Sequence, residues 1–102
     1  MATLSVNTYD IGQAVRCDVV FADTAGTATD PTTVTFIIRD PSGNETTYTY
    51  PPAGTIVKDG VGDYHADVTL DEAGLWYYRW EGTGALVAAS EHGFYARKSE
   101  IV

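Results

Sequence analysis

The sequence predicts an all-β sandwich built as one domain. Three observations carry that expectation. Short apolar runs alternate with polar residues at a period of two, and Gly, Pro and Asp break the chain at nearly regular spacing. No stretch of ten residues shows the 3.6-residue periodicity of a helix. At 102 residues the chain has room for a single domain, 1–102, and for a modest core. Hydrophobic residues make up 44% and charged residues 20%, which excludes a wholly disordered chain.

Element by element, Leu4 to Tyr9 reads as a first edge strand, closed by Asp10-Ile11-Gly12. Val15, Cys17, Val19 and Phe21 then alternate with Arg16, Asp18, Val20 and Ala22, which describes a strand with one buried face. Asp23 to Pro31 is small and polar, hence a loop. The strand from Thr33 to Arg39 turns Val34, Phe36 and Ile38 inward. Asp40-Pro41-Ser42-Gly43 carries the residues that a type I turn prefers. Glu45 to Tyr50 continues as a Thr/Tyr-rich strand, and Pro51-Pro52 stops its ladder for want of N–H donors. Ile56 to Lys58 is a short strand before Asp59-Gly60-Val61-Gly62, after which Tyr64, Ala66 and Val68 alternate with Asp63, His65 and Asp67. The loop Asp71 to Gly74 leads into Leu75 to Glu81, with Trp76, Tyr78 and Trp80 on one inward face. Gly82-Thr83-Gly84 closes a hairpin, and Ala85 to Arg97 returns with a bulge expected near Gly93. Seven or eight strands result.

Two resemblances refine this. Glu72-Ala73-Gly74-Leu75-Trp76-Tyr77-Tyr78 resembles the Asp-x-Gly-x-Tyr-x-Cys corner of immunoglobulin domains. The resemblance implies an immunoglobulin-like antiparallel β-sandwich. Trp76 stands at the tyrosine position, where its indole N–H would donate across the corner. Tyr78 replaces the second cysteine, and Cys17 lies on the strand of the first, so the inter-sheet disulfide is missing. Residues 56 to 97, with Gly62-Asp63-Tyr64-His65-Ala66-Asp67 and Trp76-Tyr77-Tyr78-Arg79-Trp80-Glu81-Gly82-Thr83-Gly84, resemble small immunoglobulin-like structural proteins of tailed phages and prophages. Tyr9-Asp10-Ile11-Gly12 and Asp30-Pro31-Thr32-Thr33-Val34 fit the same pattern. That resemblance implies a virion context and no catalytic residue.

The chemistry-bearing side chains point the same way. Asp63, His65 and Asp67 share one strand face at steps of about 7 Å, too divergent for zinc by themselves, and read as a solvated outer face. Ser90-Glu91-His92 lacks a nucleophile-elbow motif. Asp23, Asp30, Asp40, Asp59 and Asp71 lie in loops without calcium-loop spacing, and read as turn residues. Cys17, the single cysteine, reads as a small core residue. Neither a metal nor any other cofactor is expected. Tyr77 and Arg79, with Tyr95 and Arg97 on the returning strand, fall together on one outer face. Tyr and Arg are the side chains enriched in interface hot spots, so these four are the expected partner-binding residues.

Six basic against fourteen acidic residues give a net charge of −8, which repels nucleic acid and anionic membranes. Met1-Ala2-Thr3 lacks the basic and apolar regions of a signal peptide, which predicts synthesis in the cytoplasm, and the phage resemblance implies that of a bacterial host. The expectation is therefore a non-enzymatic virion structural protein. It would be a capsid decoration, head-completion or tail-associated subunit, present in many copies and docked to other virion proteins. The alternative is a carbohydrate- or cell-surface-binding module that uses the same tyrosines as stacking platforms.

Overall fold

The computed structural model describes residues 8–51 and 54–98. It contains eight strands: β1 (Thr8–Asp10), β2 (Ala14–Val20), β3 (Thr33–Arg39), β4 (Glu45–Tyr50), β5 (Ile56–Gly60), β6 (Asp63–Thr69), β7 (Gly74–Thr83) and β8 (Ala88–Arg97). The expected first strand survives as β1, and its portion at 4–7 lies outside the described residues, as does Pro52. Among the described residues there is no helix, and so none long and apolar enough to cross a membrane.

The strands form two sheets, β1-β8-β7-β3-β4 and β2-β6-β5. This is a β-sandwich whose strand order is compatible with the immunoglobulin-like arrangement. One pairing departs from a purely antiparallel design, because β1 runs parallel to β8, with Thr8 opposite Tyr95. The reason is topological. β1 and β8 come from opposite ends of the chain and share no hairpin. After β1 the chain crosses to the other sheet through Ile11–Gln13, where Gly12 N–H donates to Leu70 O and Leu70 N–H donates to Gln13 O.

Alternation decides the core. Val15, Cys17 and Val19 of β2 face Val34, Phe36 and Ile38 of β3, Trp76 and Trp80 of β7 and Phe94 and Ala96 of β8, with Ile56, Tyr64 and Ala66 closing the second sheet. The Trp80 and Phe36 ring centroids are 4.6 Å apart, and Trp76 stacks on Phe94 at 6.2 Å. Trp80 is fully buried, and its indole N–H has no hydrogen-bond partner among the described residues. Its contribution to stability therefore comes from ring area and close packing.

The two corners behave differently. Trp76 Nε1 donates to Glu72 O at 2.9 Å, so the indole does span the corner before β7 as a tyrosine would. Cys17 and Tyr78 stand where the bridge would be: the thiol is buried, and Tyr78 packs half-buried against the same core. Burial pushes the Tyr78 hydroxyl up to about 12, with the nearby Cys17 adding to the effect.

Turn chemistry follows the sequence in the β3–β4 hairpin. Gly43 N–H donates to Asp40 O at 2.9 Å, and the Asp40 carboxylate accepts from Asn44 N–H at 2.9 Å. At the opposite end, Gly62 has φ +70° and lies so close to the Phe21–Thr29 segment that a Cβ would sit 2.5 Å from Phe21 O. No other residue fits there. The bulge expected near Gly93 is absent. The β7–β8 register runs unbroken from Gly74–Ala96 to Gly82–Ala88, and the irregularity lies instead between Lys58 and Gly60 of β5. Gly93 serves a different purpose: it sits opposite Tyr77, and a Cβ there would lie 3.1 Å from the tyrosine ring. The missing side chain lets that ring lie down on the sheet.

Candidate functional site

Tyr77, Arg79, Tyr95 and Arg97 do share the outward face of the five-stranded sheet. All four occupy alternate positions opposite those of the buried Trp76, Trp80, Phe94 and Ala96. Tyr77 lies over Gly93, and Tyr95 sits across from Leu75. Exposure is 39% for Tyr77, 48% for Tyr95 and 47% for Leu75, so three large side chains meet solvent side by side. Leu75 was missed as a site residue, although its period-two relation to Tyr77 and Arg79 signals its face. Beside them a shallow depression of about 430 Å³ is lined by Ile37, Arg39, Glu45, Tyr77, Arg79 and Glu91, with Tyr78 beneath.

The electrostatics of this face are balanced. Arg79 Nε donates to Glu81 at 2.6 Å and its Nη1 to Glu91 at 3.3 Å. Arg97 donates twice to Asp10, at 2.9 and 2.7 Å, and Arg39 twice to Glu45, at 2.9 and 2.7 Å. Three guanidinium groups are thus matched by four carboxylates. Exposed Arg–carboxylate pairs add little stability, but they hold both partners in fixed orientation at a surface.

The outward face of the three-stranded sheet is acidic. Asp63, His65 and Asp67 do lie on it, paired across the ladder with Val20, Asp18 and Arg16. Tertiary structure adds a grouping the linear pattern hides. Asp18 from β2, Asp59 from the irregular stretch of β5 and His65 from β6 bring ligand atoms within 4.8 Å of one another. Among the described residues, these three converge as groups able to hold a transition-metal ion. A cation already lies among them: Arg16 Nε donates to Asp18 at 2.7 Å and its Nη2 to Asp59 at 3.1 Å, while His65 Nδ1 lies 2.6 Å from Asp59. A metal would have to displace that guanidinium.

The remaining candidates separate. Ser90 Oγ lies 2.8 Å from His92 Nε2, but Glu91 points to the other face and binds Arg79. No carboxylate from this triplet orients the imidazole. The loop aspartates divide between the two ends of the sandwich. Asp23 accepts from Ala25 and Thr27 N–H within its own loop, and Asp30 accepts from Lys58 Nζ, Gly62 N–H and Tyr64 Oη. The Lys58 ammonium holds the Asp30 carboxyl below its usual range. Asp40 and Asp71 belong to the far end, beside Ser42, Asn44 and Glu72. Cys17 is a buried free thiol, and burial pushes it up to about 12, far from the thiolate a nucleophile requires.

Comparison with protein-family models, with curated proteins and with solved structures finds no match to this chain.

Proposed function

We propose that this chain is a non-catalytic structural subunit of a tailed-phage virion, a capsid-decoration, head-completion or tail-associated protein that acts by docking to neighbouring virion proteins. The observation that carries the reading is the outward face of the five-stranded sheet. Leu75, Tyr77 and Tyr95 stand exposed and contiguous there, framed by Arg–carboxylate pairs held in place. Tyr and Arg are the side chains in which binding energy concentrates at protein interfaces, and Leu75 adds apolar area beside them. The likeness of residues 56 to 97 to small phage structural proteins supports the virion setting. So does the charge of −8, which keeps many copies apart until they assemble.

The test is the paired substitution Tyr77→Ser with Arg79→Ser. The domain stays folded, since exposed ion pairs contribute about 1 kcal/mol or less. Incorporation into purified particles falls steeply, as read by mass spectrometry against the major capsid protein. Hundreds of wild-type copies per particle indicate decoration, and about six or twelve indicate the neck or tail, following the particle's rotational symmetry. Normal incorporation of the double variant overturns the assignment. A glycan-array signal abolished by Tyr77→Ala would instead establish the carbohydrate-binding reading.

A further inference from the structure

The five-stranded sheet ends at β4, and among the described residues β4 pairs only with β3. Among the described residues the backbone groups on its other side have no strand partner, and between Glu45 and Pro51 the strand carries no Lys, Pro or bulge of the kind that guards open edges. Against this edge, between the two sheets, lies a cleft of about 310 Å³. Its floor includes the buried Phe36, Ile38 and Trp76 with half-buried Tyr48, and its rim includes Asp40 and Asp71. An adjoining depression shares both aspartates and adds Glu72. No Lys or Arg lines either one. Arg16, Arg39, Lys58, Arg79 and Arg97 are all tied to carboxylates elsewhere.

We propose that the β4 edge and this cleft together form a docking site for an extended basic segment of a partner protein. The segment's backbone adds a strand to β4, and one of its Lys or Arg side chains enters the cleft. The inference rests on the docking function only in taking the partner to be a protein. The two halves of the site fit each other. Side chains of an added strand alternate, so those on its inner side fall over the gap that Thr46 and Tyr48 of β4 line. A Lys or Arg head matches the cleft's carboxylates and polar walls, which include Asn44, Thr46, Thr55 and Thr69, and its apolar stem matches the smaller floor of Phe36, Ile38, Tyr48 and Trp76. A second copy of this chain does not match, because β4 reads Glu-Thr-Thr-Tyr-Thr-Tyr and brings no cation to the cleft.

The probe is the capped peptide Thr-Val-Thr-Lys-Thr-Val-Thr, titrated into isotope-labelled full-length protein, beside the same peptide with norleucine for lysine. The expected result is amide shifts at Thr47 and Thr49, whose N–H groups face away from β3 in this register, with further shifts at Asp71 and the Trp76 indole signal. The norleucine peptide should bind about tenfold more weakly, the scale of one lost charge-assisted bond. Asp71→Asn, at an exposed residue that makes no side-chain bond among the described residues, should weaken the lysine peptide by a similar factor and leave the norleucine peptide unchanged. Circular dichroism confirms that this variant is folded. Equal binding of the two peptides, shifts confined to the Tyr77–Tyr95 face, or no shifts at millimolar peptide would each overturn the proposal. The Tyr77/Arg79 incorporation assay probes the opposite side of the sheet, so failure of the peptide site and failure of that reading are separately visible.

Discussion

The outward faces of the two sheets arise from the same alternation yet differ in chemistry. On the five-stranded sheet, Leu75, Tyr77 and Tyr95 are exposed among three arginines and the acids Asp10, Glu45, Glu81 and Glu91. On the three-stranded sheet, Asp18, Asp59, Asp63 and Asp67 surround Arg16 and His65; Val20 and Val57 are exposed there, but no Tyr, Trp or Phe faces outward. The first face is close to neutral and presents apolar area that gains from burial. The second keeps excess negative charge and favours water. On the proposed function the first is the face to be covered and the second the face that stays wet.

Both faces hang on one core, so the largest expected effect erases the contrast altogether. Trp80→Ala should cost roughly 3–5 kcal/mol, enough to unfold a marginal domain, as read by thermal and denaturant melts. A folded Trp80→Ala protein would show that the buried ring is not what supports the two faces.

Cys17→Ala should be milder, about 1–2 kcal/mol, because it removes one sulfur from the core and breaks no bridge. The native thiol should resist alkylation and react only after denaturation, since burial holds it protonated up to about 12. Rapid labelling of the native protein would place Cys17 outside the core.

Smaller still is a loss of stability at alkaline pH. The Tyr64 hydroxyl is raised from 10.0 to about 12, by burial first and then by its bond to Asp30. A group whose folded value is raised contributes stability fully below its unfolded value and loses it as pH rises to the folded one. Tyr64→Phe should therefore flatten the decline in melting temperature between about pH 10 and 12, leaving the share that Tyr78 and Cys17 contribute. An unchanged alkaline slope would mean that Tyr64 ionises freely in the folded protein.

The smallest effects test the comparison most sharply. Asp59→Asn on the acidic face and Tyr77→Ser with Arg79→Ser on the aromatic face should both leave stability within about 1 kcal/mol. Only the second should reduce particle incorporation. If Asp59→Asn reduced it equally, the acidic face would be an interface too, and the contrast drawn from composition would fail.

The readings that survived contact with the structure, and those that did not, divide by range along the chain. Val15, Cys17 and Val19 could be placed inward because a strand alternates regardless of its neighbours. Trp76 could be placed at a corner because Glu72 is four residues away. The salt bridge of Arg79 to Glu81 was open to the same reasoning, since the two share a face at a spacing of two. The bond of Arg97 to Asp10 was not, because 87 residues separate them. Both arginines of the expected partner-binding set are therefore charge-paired, one locally and one across the whole chain. Gly93 misled for a related reason: glycine marks both a bulge and a close approach, and only the ring of Tyr77 on the facing strand distinguishes them.

Within the sequence itself lay the strands, their inward faces, the turns and the side of β7 and β8 that carries Tyr77, Arg79, Tyr95 and Arg97. These depend on period-two alternation and on the backbone limits of Gly and Pro, which act over a few residues. Tertiary structure alone decided the parallel β1–β8 pair, the meeting of Asp18, Asp59 and His65, and the open cleft beside β4. Each depends on which strands become neighbours, and that follows from the burial of one shared core by the whole chain rather than from any local run of residues.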